Sequence, residues 1–525
     1  MPQDMTGRIP VVVGVTGHRN IRKEDLPVLR EAARTQLKKI KDMTPNSPHV
    51  LLTSLAEGPD QFTALEAQEL GYSIYAALPM DPADYGEDFA GDAFQSFKSL
   101  IMRADRVFVC PETEKHEDGR DFLYRQAGIY VARHCHVLLS FWDGEDAEDE
   151  GCGTAAVHWI KTSGWNRSGD EAQMEPYSGM SVQIMTPKAG REYRGGLAAG
   201  QVSVHGDDDV VREALRRTEL FNMEAAVIPV KATGDAVSES YAAADALSVR
   251  HYSRYRRSLA MLAVFGALLT TAFLLYDEVN MHYMIVLCGL MLLAMYAVRR
   301  ISVRLGSRTG YVEYRVLAES LRVQDSLNRS GVRLFAADEM PWNIKHNLPW
   351  VEYAVAALTA GASPARETGY PGLWVDDQYR YHVSARRKDE NRLKKNNRVV
   401  STAYIITIIS YLAAFFFEAA VSGIFFEPGG WLLENAEVIR TAVKVVLGIM
   451  ASNTVFVSNY YGKLALEERI EDHDKMISLF GRASGIMETG GGVSELILRE
   501  LAREELSENS GWYSYQSRNE EEISV

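Results

Sequence analysis

The residues best placed to do chemistry near the start of the chain are Thr16-Gly17-His18-Arg19. They follow an apolar, β-branched run, Arg8 to Gly14, that reads as a buried strand, and they precede a helix expected from about Lys23 to Met43. Strand, glycine-containing turn and helix together form the layout that presents backbone amides and a helix N-terminus to a phosphate. The glycines let the backbone approach a ligand, and Thr16, His18 and Arg19 offer donors to an anion. Neither GxGxxG nor GxxxxGK[ST] is present, so the turn alone names no nucleotide class.

A second unit repeats the plan. Val50 to Ser54 reads as a strand, Leu55-Ala56-Glu57-Gly58-Pro59-Asp60 as a turn, and Gln61 to Leu70 as a helix. Glu57 and Asp60 have two readings: acid/base residues, or carboxylates that cap the following helix and fix the loop. Ser73 to Leu78, Arg106 to Cys110 and His136 to Phe141 read as further strands, the last running into Trp142-Asp143-Gly144. Gly151-Cys152-Gly153-Thr154 then opens a helix through Ile160. His134 and His136 flank Cys135 at what reads as a helix end, a poor metal-ligand spacing. Alternating strands and helices predict a Rossmann-like α/β fold with a parallel sheet, and such sheets bind ligands in the loops after the carboxyl ends of their strands. Residues 166–245 are less informative: Val182 to Met185 and Val202 to Val204 are candidate strands and Asp208 to Phe221 a helix.

The segments VGVTGHR, SLAEGPDQ, Pro79…Tyr85…Phe89, YRQAGIYVA, LLSFWDG and GCGT, in this order and spacing, resemble the SLOG family of Rossmann-like nucleotide sensors, relatives of the lonely-guy phosphoribohydrolases. The resemblance covers about residues 9–165. It implies a nucleotide-derived small-molecule ligand, of the cyclic oligonucleotide or ADP-ribose type. The binding residues it implies are Thr16, Gly17, His18, Arg19, Ser54, Glu57, Gly58, Asp60, Tyr130, Trp142, Asp143, Gly144, Gly153 and Thr154. No cofactor, no metal and no catalytic residue are expected. The lonely-guy enzymes carry a catalytic Glu in a PGGxGTxxE motif, and the related turn here places Val157 at that position. Binding without hydrolysis is therefore the better reading.

Four stretches approach the ~20 apolar residues needed to cross a bilayer: Leu259–Tyr276, Tyr283–Val298, Ala403–Phe426 and Val438–Tyr460. Lys and Arg gather at one end of each, in Arg250 to Arg257, Arg299 to Arg308, Arg386 to Arg398 and at Lys463. The other two connections are short and acidic. The positive-inside rule then predicts four spans with both termini and the 302–400 insert in the cytoplasm. Within the spans, Glu418 and Lys444 lie at similar depth, and either pair with each other or mark an ion path. Ser452, Asn453 and Thr454 either hydrogen-bond neighbouring helices or line water. Amphipathic helices are expected at Tyr311 to Leu327 and Leu464 to Met487, as stalks that pack within one chain or across an oligomer seam, with a last helix from Ser494 to Ser507.

These readings order the chain as a sensing domain (1–165), its completion and linker (166–245), two membrane pairs (246–310 and 385–462), an insert (311–384) and C-terminal helices (463–525). The net charge of −14 argues against a general nucleic-acid binder, and the four cysteines show no disulfide or zinc spacing. Met1 to Arg8 is polar and Ile9 to Gly14 too short for a secretory signal. The rear half resembles the SLATT class of membrane effectors found beside SLOG domains in bacterial conflict systems. That resemblance implies a homo-oligomeric, ligand-gated pore in the inner membrane of a prokaryote. A membrane-anchored nucleotide hydrolase or nucleosidase and a scaffold or transporter are the rival expectations.

Overall fold

The computed structural model describes residues 5–112, 119–145, 153–163, 177, 179–191, 193, 198–279, 281–362, 364, 367–424, 429–462, 466–489 and 494–518. Gly151, Cys152, Phe425, Phe426, Glu427, Lys463 and Leu464, which figured in the expectations above, lie outside the described residues. The chain divides into two compact units: Met1–Leu247 with Glu313–Pro371 and Val493–Val525, and Ser248–Val312 with Gly372–Gly492.

The first unit is built on a seven-stranded sheet in the order β4-β3-β2-β1-β5-β6-β7. Its strands are β1 (Val11–Gly17), β2 (His49–Thr53), β3 (Ser73–Leu78), β4 (Arg106–Val109), β5 (Val137–Trp142), β6 (Met180–Met185) and β7 (Val202–His205). All pair in parallel except β6 with β7. β1 is apolar from Val11 to Val15 because both its faces are covered there. Val11, Val13 and Val15 pack with Leu29, Ala33 and Leu37 of helix Leu26–Met43 and with helix Pro59–Glu69. Val12 packs on the opposite face with Ala127 and Val131 of helix Arg120–His134 and with Val157 and Ile160 of helix Thr154–Thr162. The strand runs three residues past Gly14, so Thr16 and Gly17 end β1 rather than form its turn. A Cβ at Gly14 would lie 2.9 Å from Cys135 Sγ, and one at Gly17 2.5 Å from Pro59 Cγ. Both glycines therefore make room for the protein's own helices, not for a ligand.

Two later segments join this unit. Helix Pro349–Thr359 is apolar on nearly every side, and Ala357 and the following Ala360 pack into the second core. The last helix, Glu495–Arg518, extends well beyond the expected Ser507. It is held by Arg499 and Arg503 on Glu339, by Arg322 on Glu505 at 3.3 Å, and by Asn509, which donates to Val316 O at 3.1 Å.

The second unit is helical. Helix Ala236–Glu278 enters it from the first unit, and Met284–Arg304, Tyr370–Val421 and Ala436–Gly462 follow. Among the described residues four helices are long and apolar enough to cross a membrane, and at most 11% of each apolar stretch is buried within the protein. Core helices of a soluble protein would be covered, whereas spans meeting lipid are not. The first and fourth helices run antiparallel in close register. A Cβ at Gly266 would meet the Phe456 ring at 2.8 Å, one at Gly448 would meet Leu274 at 2.7 Å, and Lys444 Nζ stands 3.2 Å from Glu278. The expected Glu418–Lys444 pair is thus corrected. Glu418 takes two hydrogen bonds from Arg440, at 2.7 and 2.9 Å. Arg440 and Lys444 lie one turn apart and nearly in line on the fourth helix; Arg440 is taken by Glu418 of the third helix and Lys444 by Glu278 of the first. Thr454 is buried and bonds Thr407 at 3.2 Å, which favours interhelical bonding at that position; Ser452 and Asn453 are half-buried.

Burial holds His18, His49, His134 and His158 down to about 4 and His136 to about 3. Each lies below the ordinary histidine value, so the unfolded chain takes up protons first as pH falls. Stability is then full above about pH 6.5 and drops below it, by up to about 1.4 kcal/mol per pH unit for each such histidine. Asp60, pushed up to about 7 by burial, works in the opposite sense, because the folded form keeps a proton that the unfolded form has released. Five histidines stand against Asp60 and the two other carboxyls that burial raises, Glu313 and Asp325, which predicts that the first unit unfolds at lower denaturant at pH about 5 than at pH about 7, as read by hydrogen exchange at β1 and β5 amides.

Candidate functional site

Strand order reverses at β1: β2 lies on one side and β5 on the other, so the chain after each strand leaves in opposite directions and a crevice opens between their carboxyl ends. A cavity of about 400 Å³ occupies this crevice. Its walls are Thr16 to Asn20 after β1, Ser54, Ala56 and Asp60 after β2, Pro79 and Tyr85 after β3, Trp142 and Glu145 after β5, and Gly153 to Ala155 at the start of the next helix.

His18 is 8% exposed and its Nε2 accepts the Asp143 backbone amide at 3.1 Å. Burial lowers its pKa to about 4, so it is neutral at pH 7 and spends its Nε2 lone pair on the protein. His18 thereby joins the ends of β1 and β5, and Nδ1 is the ring nitrogen that carries the hydrogen. Asp143 Oδ2 accepts from Tyr193 Oη at 2.8 Å and from Arg191 at 3.3 Å. Burial opposes ionisation of Asp143, but the Tyr193 hydrogen bond and nearby positive charge outweigh it and hold the carboxyl below its ordinary range. Tyr193 Oη also accepts the Lys188 amide at 2.8 Å, and Ile21 and Lys188 form a bridge. The 186–191 stretch is thereby strapped across the crevice with Lys188 on the cavity wall.

The loop after β2 is over-determined. Leu55, fully buried, has φ +56, and Gly58 has φ +96, with its α-carbon turned so that a Cβ would stand 3.1 Å from His18 O. Asp60 is 3% exposed and accepts from Thr53 Oγ1 at 3.1 Å. Burial pushes its carboxyl up to about 7 against the lowering effect of Thr53, the Ala56 and Ser54 amides and Arg19. Its side chain fixes the loop, as one of the two readings held, and it faces the cavity with a proton that exchanges near neutrality. Glu57 is exposed and stands off the cavity wall.

Two helix N-termini converge on the cavity, those of Pro59–Glu69 and Thr154–Thr162. The first-turn amides of the second lack intrahelical acceptors and are available to an anion. Arg19 is exposed at the mouth, with its guanidinium 5.6 Å from the centre of the Tyr124 ring. Tyr85, Tyr124 and Trp142 supply flat apolar surface. The arrangement offers cations, free amides and aromatic faces, which together suit a phosphorylated ligand carrying a base.

Of the residues expected from sequence, Thr16, Gly17, His18, Arg19, Ser54, Asp60, Trp142, Gly153 and Thr154 line this one cavity. Gly58, Asp143 and Gly144 shape its loops, and Glu57 is exposed on the loop after β2. Tyr130 lies elsewhere: it is 2% exposed in the core of the opposite face, where its hydroxyl accepts the Gly361 amide at 2.9 Å. Its position on helix Arg120–His134 turns it from the cavity, while Tyr124, Ala127, Gly128 and Val131 face in. Sequence reasoning missed Tyr85, Tyr124 and Lys188 as wall residues. Helical spacing from Gly128 would have found Tyr124, whereas Lys188 sits in a polar, glycine-rich stretch with no periodic signal. Val157 does face the cavity, so methyl groups stand there.

No family model matches the chain, and no curated protein matches it.

Gly128 allows the helices carrying it and Val157 to meet: a Cβ there would lie 2.6 Å from Val157 Cγ2. Valine is stiff at χ1 and cannot swing away. Gly128→Ala is expected to destabilise the first unit by about 1–3 kcal/mol. Adding Val157→Ala should recover part of that loss in denaturant unfolding, and two independent, additive losses would contradict the close approach.

Proposed function

We propose that this protein is a ligand-gated membrane effector: a SLOG-like sensor for a nucleotide-derived signal joined to a SLATT-like, four-span helical part that forms or gates an ion-conducting pore. The observation that carries the reading is the cavity at the β1/β5 reversal, where Arg19, Lys188 and the amides at Gly153–Ala155 face the same space as Tyr85, Tyr124 and Trp142. An anionic nucleotide bound there would neutralise the cations and cap the helix N-terminus. Helices Ala236–Glu278 and Tyr370–Val421 begin in the sensing unit and end in the membrane unit, so a ligand-induced bias has a continuous element to travel along. A ligand shifts such an equilibrium only by its differential affinity for the two states. The reading places the protein in the inner membrane of a prokaryote with both termini in the cytoplasm, as a homo-oligomer serving antiphage or other conflict defence.

A second reading, a membrane-anchored nucleotide hydrolase or nucleosidase, draws on Asp60, a buried carboxyl poised near neutrality on the cavity wall. Val157 at the position of the lonely-guy glutamate favours binding over turnover by that family's route.

The test is ion flux from liposomes holding the purified protein, before and after adding cyclic oligonucleotides and ADP-ribose derivatives. One compound is expected to trigger flux. Arg19→Ala should weaken its binding about 10- to 100-fold, the worth of one charge-assisted contact, with assembly intact. Unchanged binding and flux in Arg19→Ala would remove Arg19 from the site, and consumption of the compound without flux would favour the hydrolase.

A further inference from the structure

In the membrane unit, outside the apolar stretches, helices Tyr370–Val421 and Leu466–Glu488 meet through two histidines. His382 is 2% exposed and His473 7% exposed, and their Nδ1 atoms stand 3.0 Å apart. At that distance one Nδ1 carries a hydrogen and the other supplies a lone pair. The rings lie 5.2 Å apart with 64° between their planes, and Phe480 stacks on His382 at 6.0 Å. Water is therefore a poor substitute for either partner.

The charged groups around the pair come from both helices. From Tyr370–Val421, Asp389 is 1% exposed with Oδ2 3.9 Å from His473 Nε2; Arg392 and Arg386 belong to the same helix, and Tyr381 presents its ring to both histidines. From Leu466–Glu488, Arg469 bonds Asp389 at 2.9 Å, Asp474 pairs with Arg386, and Asp472 lies within electrostatic reach. Asp389 is thus already engaged by two arginines and is only partly available to stabilise an imidazolium. Burial, then Arg469, lowers the pKa of His473 in spite of the three aspartates.

We propose that the His382–His473 pair is a proton-operated latch that joins these two helices at neutral pH and releases them when both imidazoles are protonated. With one extra proton the Nδ1–H···Nδ1 bond survives. With two, both Nδ1 atoms carry hydrogen, the bond is lost, and two like charges face each other in a site shielded from water. The sign follows: a histidine held below its ordinary value keeps the contact whole above about pH 6.5 and loosens it as pH falls through that value. The same helix that carries His382 continues into the third apolar stretch, so acidification on this side of the membrane acts on the spans without any ligand.

The experiment uses the full chain in lipid nanodiscs, with spin labels at Arg380→Cys and Ser478→Cys, both exposed positions. Pulsed electron–electron distances are taken from pH about 8 to about 5. The latch predicts one short distance at neutral pH and a longer population that dominates at the acid end. In His382→Gln with His473→Gln, where neither side chain titrates, the distribution should not change with pH. If that variant misfolds, the single variant His473→Gln replaces it, since one titrating ring cannot create the repulsion. A distribution in the parent protein that is independent of pH, or the same acid shift in the glutamine variants, overturns the proposal.

Discussion

The whole arrangement at the cavity depends on β1 being the strand at which the sheet changes direction. Because β2 and β5 hydrogen-bond its two edges, the chain leaves its neighbours in opposite directions and a crevice opens at its carboxyl end. Because helices cover both its faces, every side chain from Val11 to Val15 is apolar or absent. The constraint is tightest at Gly17, where Pro59 comes so near that no side chain fits. That contact fixes the start of helix Pro59–Glu69, and with it Asp60, relative to the end of β1. His18 and Asp143 then tie β1 to β5 across the reversal, so both halves of the wall are set by short, buried interactions.

The two units use polar groups for different ends. In the first, burial suppresses charge: His18, His49, His134, His136 and His158 are neutral and Asp60 is half-protonated near neutrality. Arg19 and Lys188 bring positive charge to the cavity wall, and Glu145 one carboxylate. In the second unit, ion pairs sit between apolar helices, where a lone charge costs several kcal/mol and a partner is close to obligatory. Glu278–Lys444 and Glu418–Arg440 link the fourth helix to the first and the third. Gly266 and Gly448 let the first and fourth helices approach closely.

Much of this was legible in the sequence, for definite reasons. Buried parallel strands are short and β-branched, and the loops after β1, β2 and β5 carry glycines next to polar groups, so nine of fourteen expected ligand residues line one cavity. The apolar helices announce themselves by length. What stayed hidden was phase and distance. Tyr130 sits two residues from Gly128, and on a helix two residues means the opposite side. By depth Glu418 reads as a partner of Lys444, but Arg440, one turn away, takes it, and Lys444 goes to Glu278 of the first helix. Lys188 reaches the cavity through a strap of irregular backbone, which has no period to read. Helix Pro349–Thr359, too short to cross a membrane, completes the core of a sheet hundreds of residues earlier, and only tertiary packing reveals that.

The central claim is that an anionic ligand binds at the β1/β5 reversal and from there acts on the spans. Hydrogen–deuterium exchange of the full chain in lipid, with and without the compound that triggers flux, tests it most directly. The account predicts slowed exchange at the amides of Thr154 to Val157 and of His18 to Asn20, together with altered exchange in helix Tyr370–Val421. A compound that drives flux while leaving the Thr154 to Val157 amides unchanged, with protection appearing elsewhere, would contradict it.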